Sequence, residues 1–133
     1  MKLNHVLETS LHAIDLEEAE AFYTKLLGRD PYRREAGRFV FYKLDEAMFL
    51  LFNPDATSGD NHGIPPHGTH GSGHACFRIE ENEMDAWKAR LAELGIPLES
   101  EHRWSNGAAS LYFRDPAGNS LELAPWRIWD RYD

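Results

Sequence analysis

The residue best placed to do chemistry in this sequence is Glu122, which lies between Leu121 and Leu123 in an apolar run. In a strand, alternation turns its side chain to the face opposite both leucines. A carboxylate on an inward face is costly to bury unless a partner or a cation neutralises it. Glu122 is therefore predicted to bind a metal cation, and it is our candidate for the catalytic carboxylate.

Two other residues could bind a metal, but for each the residue type alone leaves an ordinary alternative open. Glu8 lies in a segment that alternates as a strand would, so it could be a solvated strand residue. His74 follows Gly-Ser-Gly and begins another such segment, so it could be an ordinary edge histidine. The strands and helices predicted around Glu8 and His74 decide between a metal ligand and an ordinary strand residue.

Three further histidines, His62, His67 and His70, share a segment rich in glycine and proline with His74. A histidine-rich tract can bind metal, yet this spacing matches no tetrahedral zinc pattern. Residues 53–73 form too long a stretch of loop chemistry for a simple turn. We interpret the stretch as a polar, mobile lid between two halves of the chain.

The first half has the pattern strand, helix, strand, strand. A strand is predicted over 6–14, and Asp15 with Glu18 forms a capping box that begins a helix over about 16–27. Gly28 ends that helix. Two apolar runs, 38–44 and 47–52, follow an arginine- and proline-rich connection and are joined by a predicted hairpin turn.

The second half repeats the first. A strand begins at His74, a helix follows over about 82–94, and Gly95 ends it. From Glu8 to Gly28 is 20 residues, and from His74 to Gly95 is 21. Short apolar runs follow at 96–98, 110–113 and 120–123, with a turn over 115–119. This spacing indicates an internal duplication of a βαβββ module.

Two segments carry a more specific signal than periodicity. They are DLEEAEAFYTKLLG at 15–28 and YFRDPAGNSLEL at 112–123, with GHACF at 73–77 between them. Together they resemble the first-helix signature and the terminal hairpin of the vicinal oxygen chelate superfamily. That group includes glyoxalase I, fosfomycin- and bleomycin-resistance proteins, methylmalonyl-CoA epimerase and extradiol dioxygenases.

The resemblance implies an α+β fold in which paired βαβββ modules form curved mixed sheets, or half-barrels, around a central cavity. We expect a single domain over 1–133, with module one at about 1–57, a linker at about 58–69 and module two at about 70–133. Members of the superfamily usually pair, so a homodimer is expected, with the tryptophans of 125–129 at the interface or covering the pocket.

In that superfamily, metal ligands come from the first and last strands of each module. Carried onto this sequence, the resemblance nominates Glu8, His74 and Glu122, while the fourth position is Leu50, which cannot coordinate a metal. One imidazole and two carboxylates suit a divalent ion such as Mn, Fe, Co, Ni or Zn.

His5 is the competing candidate for the ligand on the first strand, because NHV at 4–6 resembles the family's N-terminal motif. The family places its ligand seven residues before the helix-capping Asp. Seven residues before Asp15 is Glu8, whereas His5 is ten residues before it. Strand alternation also places the two on opposite faces, so we predict that His5 is not a ligand.

Three residues are predicted to line a substrate pocket. His12 shares the face of Glu8 but lies ~13 Å further along the strand, too far for one coordination sphere. Arg78, on the face of His74, could bind a substrate carboxylate or pair with one of the many acids. Trp104 is predicted to be a pocket wall or a core residue.

A metal held by three protein ligands leaves positions open for a substrate with oxygens on adjacent carbons. The resemblance then implies a lyase, isomerase or dioxygenase-like enzyme in which the metal stabilises an enediolate or related oxyanion. Leu50 departs from the four ligands of glyoxalase I, and Glu8 departs from the two histidines of extradiol dioxygenases. The alternative is a metal-free protein that sequesters a ligand, as the bleomycin-binding members do.

The composition of the chain limits the kinds of molecule that it is expected to bind. The 133 residues carry a formal net charge of -8, which disfavours nucleic acid and anionic membranes. No run approaches the ~18 apolar residues needed to cross a bilayer. The single cysteine, Cys76, cannot form an internal disulfide and is interpreted as a small buried hydrophobe in a cytoplasmic protein. The expected partner is a small-molecule substrate.

Overall fold

The computed structural model describes residues 1–59 and 63–132, so His62 of the predicted lid lies outside the described residues. The chain divides into two compact units, Met1–Gly73 and His74–Asp133. Each unit contains one four-stranded mixed sheet and has the order βαβββ. The predicted α+β class and the duplication of the module are confirmed.

The described part of the first unit contains six helices and strands. They are β1 (Glu8–His12), α1 (Leu16–Leu27), β2 (Arg33–Glu35), β3 (Phe39–Lys43), β4 (Met48–Phe52) and the short helix α2 (Pro54–Thr57). The strand order is β1-β4-β3-β2, with β1 parallel to β4 and the other pairs antiparallel. The prediction that Asp15 caps α1 is confirmed, because Asp15 accepts a hydrogen bond from the backbone N–H of Glu18 at 3.0 Å.

Helix α1 packs on one face of this sheet through Tyr23, which is fully buried. The Tyr23 ring lies 4.9 Å from Phe49 and 6.5 Å from Tyr42, measured between centroids. Thr9 on β1 is the register partner of Phe49, so the odd-numbered residues of β1 share the helix side. The even-numbered residues, Glu8 among them, therefore lie on the face that α1 does not cover.

The second unit repeats this arrangement. Its elements are β5 (His74–Arg78), α3 (Met84–Glu93), β6 (Ser100–Arg103), β7 (Ala109–Arg114) and β8 (Ser120–Ala124), with 3-10 turns at Glu81–Glu83 and Trp126–Tyr132. The strand order is β5-β8-β7-β6, with β5 parallel to β8. Leu91 of α3 is fully buried, as are Leu111, Phe113 and Leu121 of the sheet.

Two strands differ from the sequence prediction. The run 96–98 is not a strand; Ile96 instead donates its N–H to the Leu91 carbonyl at 2.9 Å and closes the end of α3. The strand at this place in the module is β6, whose four residues are all exposed. Likewise β2, within the predicted connection, is exposed throughout. Edge strands of this kind have no apolar alternation for a sequence pattern to detect.

The segment that follows α2 is held against the first unit at several points. His67 and Gly68 both donate backbone hydrogen bonds to the Thr57 carbonyl at 3.0 Å. His70 Nε2 lies 2.7 Å from Asp55 Oδ1. A Cβ on Gly68 would come within 2.3 Å of the Pro54 carbonyl oxygen, so only glycine allows this approach of the two backbones. The described part of the predicted linker therefore groups with module one.

None of the helices in the described ranges combines the length and the apolar character that a bilayer crossing requires.

Candidate metal centre

Glu122 is the third residue of β8 and lies between two neighbouring strands. Its register partners are Cys76 on β5 and Tyr112 on β7. The residue is only 5% exposed. Within the described residues, its Oε1 atom is buried and has no hydrogen-bond partner. A buried carboxylate oxygen in this state is costly, and a bound cation would remove that cost.

His74, the first residue of β5, lies beside this carboxylate. Its Nδ1 atom is 3.0 Å from the carbonyl oxygen of Ser120. A carbonyl can only accept a hydrogen bond, so Nδ1 must carry a proton and donate it. His74 Nε2 points to Glu122 Oε2 at 3.3 Å. When His74 is neutral, its Nε2 lone pair therefore faces the carboxylate; when His74 is protonated, Nε2 forms an ion pair with Glu122.

This arrangement fits a metal ion in two respects. Two ligand atoms that each lie ~2.1 Å from one ion, at an angle of ~90–110°, are about 3.0–3.4 Å apart. The 3.3 Å between His74 Nε2 and Glu122 Oε2 falls in that range. Histidine ligands also commonly donate their other ring N–H to a carbonyl, as His74 does to Ser120. Both lone pairs would be satisfied by one shared cation.

The neighbours of Glu122 respond to its charge. Desolvation, and then the negative charge of Glu122, raise the pKa of the Cys76 thiol to about 12. The same two causes, in the same order, raise the pKa of Tyr112. Cys76 is exposed as a residue, which differs from the predicted buried hydrophobe, although its thiol is crowded by the strand that carries Glu122. Both groups are therefore neutral at physiological pH.

The third predicted ligand belongs to the other unit. Glu8 is the first residue of β1, as His74 is of β5, and it is exposed. Its side chain lies on the face opposite the buried Leu11. His5 precedes β1 and lies outside it. The described residues contain no group of three or more His, Cys, Asp or Glu side chains already gathered for a metal. The structure thus brings His74 and Glu122 together, while the role of Glu8 stays a prediction.

Of the predicted pocket residues, His12 lies on the face of Glu8 at the far end of β1. Its ring is 6.2 Å from Phe52 and 6.5 Å from His67, measured between centroids. Desolvation, and then the charge of His67, lower the pKa of His12. Neutral His12 is therefore favoured in the folded protein.

Arg78 and Trp104 lie in the second unit. Arg78 Nη2 is 3.3 Å from Glu80 Oε1, so pairing with an acid, one of the two alternatives, is present in the structure. Trp104 donates its Nε1–H to Ser110 Oγ at 2.8 Å and packs against Ala108, Ala124 and Ile128. Trp104 is partly buried, and its place in a substrate pocket stays a prediction.

Sequence reasoning missed Tyr112 as a neighbour of Glu122, although a signal was present. The turn over 115–119 closes a hairpin, and counting back across it pairs Tyr112 with Glu122. The predicted counterpart of Glu122 in module one was Leu50, and each is indeed the third residue of the last strand in its module. Leu50 pairs with Phe41 as Glu122 pairs with Tyr112.

Comparison with known proteins identifies the family and agrees with the fold. A family model described as the Glyoxalase/Bleomycin resistance protein/Dioxygenase superfamily matches residues 2–123. A metallothiol transferase FosB from Bacillus licheniformis is 27% identical over 131 residues, covering 97% of this chain and 78% of that protein. A trivalent organoarsenical cleaving enzyme from a Bacillus species is 32% identical over 128 residues, covering 92% of this chain and 72% of that protein. The solved structure of a lactoylglutathione lyase from Agrobacterium tumefaciens superposes with a TM-score of 0.92 at 43% identity, covering 97% of this chain and 98% of that one.

Proposed function

Because this chain belongs to the glyoxalase/bleomycin resistance protein/dioxygenase superfamily, we propose that it is a divalent-metal-dependent enzyme. Its substrate would be a small compound with oxygens on adjacent carbons. The proposed ligands are Glu8, His74 and Glu122, and the proposed metals are Mn, Fe, Co, Ni or Zn. A bound ion of this kind supplies a Lewis acid that polarises a carbonyl and stabilises an enediolate or related oxyanion.

One observation carries this proposal. His74 Nε2 and Glu122 Oε2 lie 3.3 Å apart, while His74 Nδ1 is already committed to the Ser120 carbonyl. A ligand-sequestering protein without a metal has no need of a buried carboxylate with an imidazole nitrogen oriented toward it. The pair therefore favours the metal-dependent enzyme over the sequestering alternative.

The chain's own residues supply the proton chemistry. We assign the carboxylate of Glu122, which lies beside His74, the role of proton acceptor. It would take a proton from the substrate carbon next to the carbonyl, and the electron pair of that C–H bond would move to the carbonyl oxygen. Neighbouring Cys76 and Tyr112 have raised pKa values, so neither competes as an anion for this role.

The proposal predicts uptake of one divalent ion per chain and metal-dependent proton abstraction. Equilibrium dialysis against Mn, Fe, Co, Ni or Zn, followed by elemental analysis, measures the first. Exchange of the carbon-bound protons of dihydroxyacetone with D2O, followed by NMR, measures the second without assuming the final product. Exchange should stop after treatment with a chelator and return on adding the metal. A purified protein that takes up none of these ions would leave the sequestering function in its place.

We also propose that the chain forms a homodimer. The observation in favour is the exposure of two large aromatic residues close together, Trp126 at 64% and Trp129 at 56%. An exposed patch of large apolar side chains usually marks an interaction surface. Light scattering should give twice the 15.3 kDa of one chain at micromolar concentration, and the mass of a single chain would contradict the proposal.

A further inference from the structure

The face of the first sheet that carries Glu8 is unusual because it is aromatic where the equivalent face of the second sheet is polar. Glu122 in module two is replaced by Leu50 in module one, and its partner Tyr112 is replaced by Phe41. Leu50 is buried, whereas the rings around it remain partly exposed. The position of the proposed metal ligand Glu122 in module two is therefore apolar in module one, and aromatic rings surround it.

Five rings on this face form a continuous series, which we call the aromatic platform. The Phe39 and Phe41 rings stack with centroids 4.1 Å apart, and Phe41 meets Phe52 edge-on at 5.3 Å. Phe52 meets His67 edge-on at 4.5 Å, and His12 lies 6.5 Å from His67. The platform therefore consists of Phe39, Phe41, Phe52, His67 and His12.

The platform lies within the reach of a small molecule from the predicted ligand Glu8. Phe41 is on β3, two strands away from β1 and level with Ser10, which places it ~12 Å from Glu8 across and along the sheet. At the Phe39 end of the platform, the guanidinium of the exposed residue Arg33 lies 5.8 Å from the centre of the Phe39 ring. A cation at this edge favours an electron-rich or anionic ring over an aliphatic or cationic group.

From this surface we propose that the substrate carries an aryl group next to its vicinal oxygens, and that the aromatic platform binds that group. The inference rests on the proposed function, because Glu8 is the residue that links the platform to the metal. Offset and edge-to-face contacts of an aryl ring with Phe41 and Phe52 would add to the apolar area that the ring buries. An aliphatic substrate with the same head group would lack these contacts between rings.

The test compares two ligands that have the same pair of adjacent oxygens. Phenylglyoxylate has a phenyl group where pyruvate has a methyl group. Isothermal titration into the metal-loaded full-length protein should show phenylglyoxylate binding about 10- to 30-fold more tightly. In Phe41→Leu this preference should fall to about threefold or less, while the affinities for pyruvate and for the metal stay unchanged.

A matched control is Phe22→Leu, since Phe22 is a partly buried aromatic residue on α1, away from the platform. It should keep the full preference for phenylglyoxylate. If Phe41→Leu fails to fold by circular dichroism, Phe52→Leu replaces it. Equal binding of the two ligands to metal-loaded wild-type protein would overturn the inference and leave the metal function standing. A protein that binds no metal contradicts the proposed function, and the same comparison on metal-free protein then decides the inference alone.

Discussion

Glu122→Gln is expected to lower the affinity for a divalent ion by more than ~100-fold, since loss of a partner that only supports a ligand already costs ~10–100-fold. Glutamine keeps the size of the side chain but removes the charge that the ion requires. Equilibrium dialysis of wild-type and variant protein with the same metal measures the effect. Metal-dependent deuterium exchange into dihydroxyacetone should be lost as well, because the variant has no carboxylate to accept the proton.

In the absence of metal, the Glu122→Gln variant should be at least as stable against unfolding as the wild type. Wild-type Glu122 has a buried Oε1 atom without a partner in the described part of the chain, and an unsatisfied buried group costs roughly 1–3 kcal/mol. Glu122→Gln should therefore unfold at the same denaturant concentration as metal-free wild type, or at a higher one. Added metal should stabilise only the wild type, by about 2.7 kcal/mol at 100 times the dissociation constant.

The control for this pair of effects is Glu101→Gln on β6, whose carboxylate pairs with Lys88 at 2.8 Å at the surface. It should change neither metal affinity nor exchange. Metal binding by Glu122→Gln that equals wild type would remove Glu122 from the site, and with it the assignment of the catalytic carboxylate.

Glu8→Ala is expected to weaken metal binding by on the order of 100-fold, while His5→Ala leaves it unchanged. Both residues are exposed and only three positions apart, so the two variants differ little in their cost to folding. They differ in chemistry because Glu8 is the first residue of β1, the position that His74 has in β5, whereas His5 lies before the strand. Dialysis with the metal that binds wild type most tightly measures both.

The comparison with His5 decides which residue of the first strand reaches the metal. Loss of metal from His5→Ala with retention in Glu8→Ala would show that the spacing from Asp15 was misread. Retention in both variants would mean that module one supplies no ligand. In that case His74 and Glu122 would hold the ion together with ligands other than His5 and Glu8.

The fold could be predicted from the sequence because the signals for it are local. Asp15 and Glu18 begin α1 and Gly28 follows it; Glu8 and His74 each begin the first strand of a module, and Gly28 and Gly95 each follow its helix. Repetition of such signals at a spacing of 20 and 21 residues is sufficient to predict two βαβββ modules. It also predicted that Glu122 faces away from the leucines beside it, since alternation is a property of the strand alone.

The edge strands β2 and β6 could not be predicted, because their residues are polar and exposed. They are strands only because β3 and β7 offer them backbone hydrogen bonds. The run 96–98 has the opposite character: it is apolar, but Pro97 has no N–H to give a ladder and Ile96 closes α3 instead.

The chemistry of the candidate centre was decided by the tertiary structure. His74 could be nominated from the sequence, but its protonated nitrogen is set by the Ser120 carbonyl, 46 residues away. The contact of Nε2 with Glu122 depends on the parallel pairing of β5 with β8, and the aromatic platform depends on the pairing of Phe41 with Leu50. Residue type and local spacing show which side chains can act, whereas the pairing of distant strands fixes which atoms of those side chains meet.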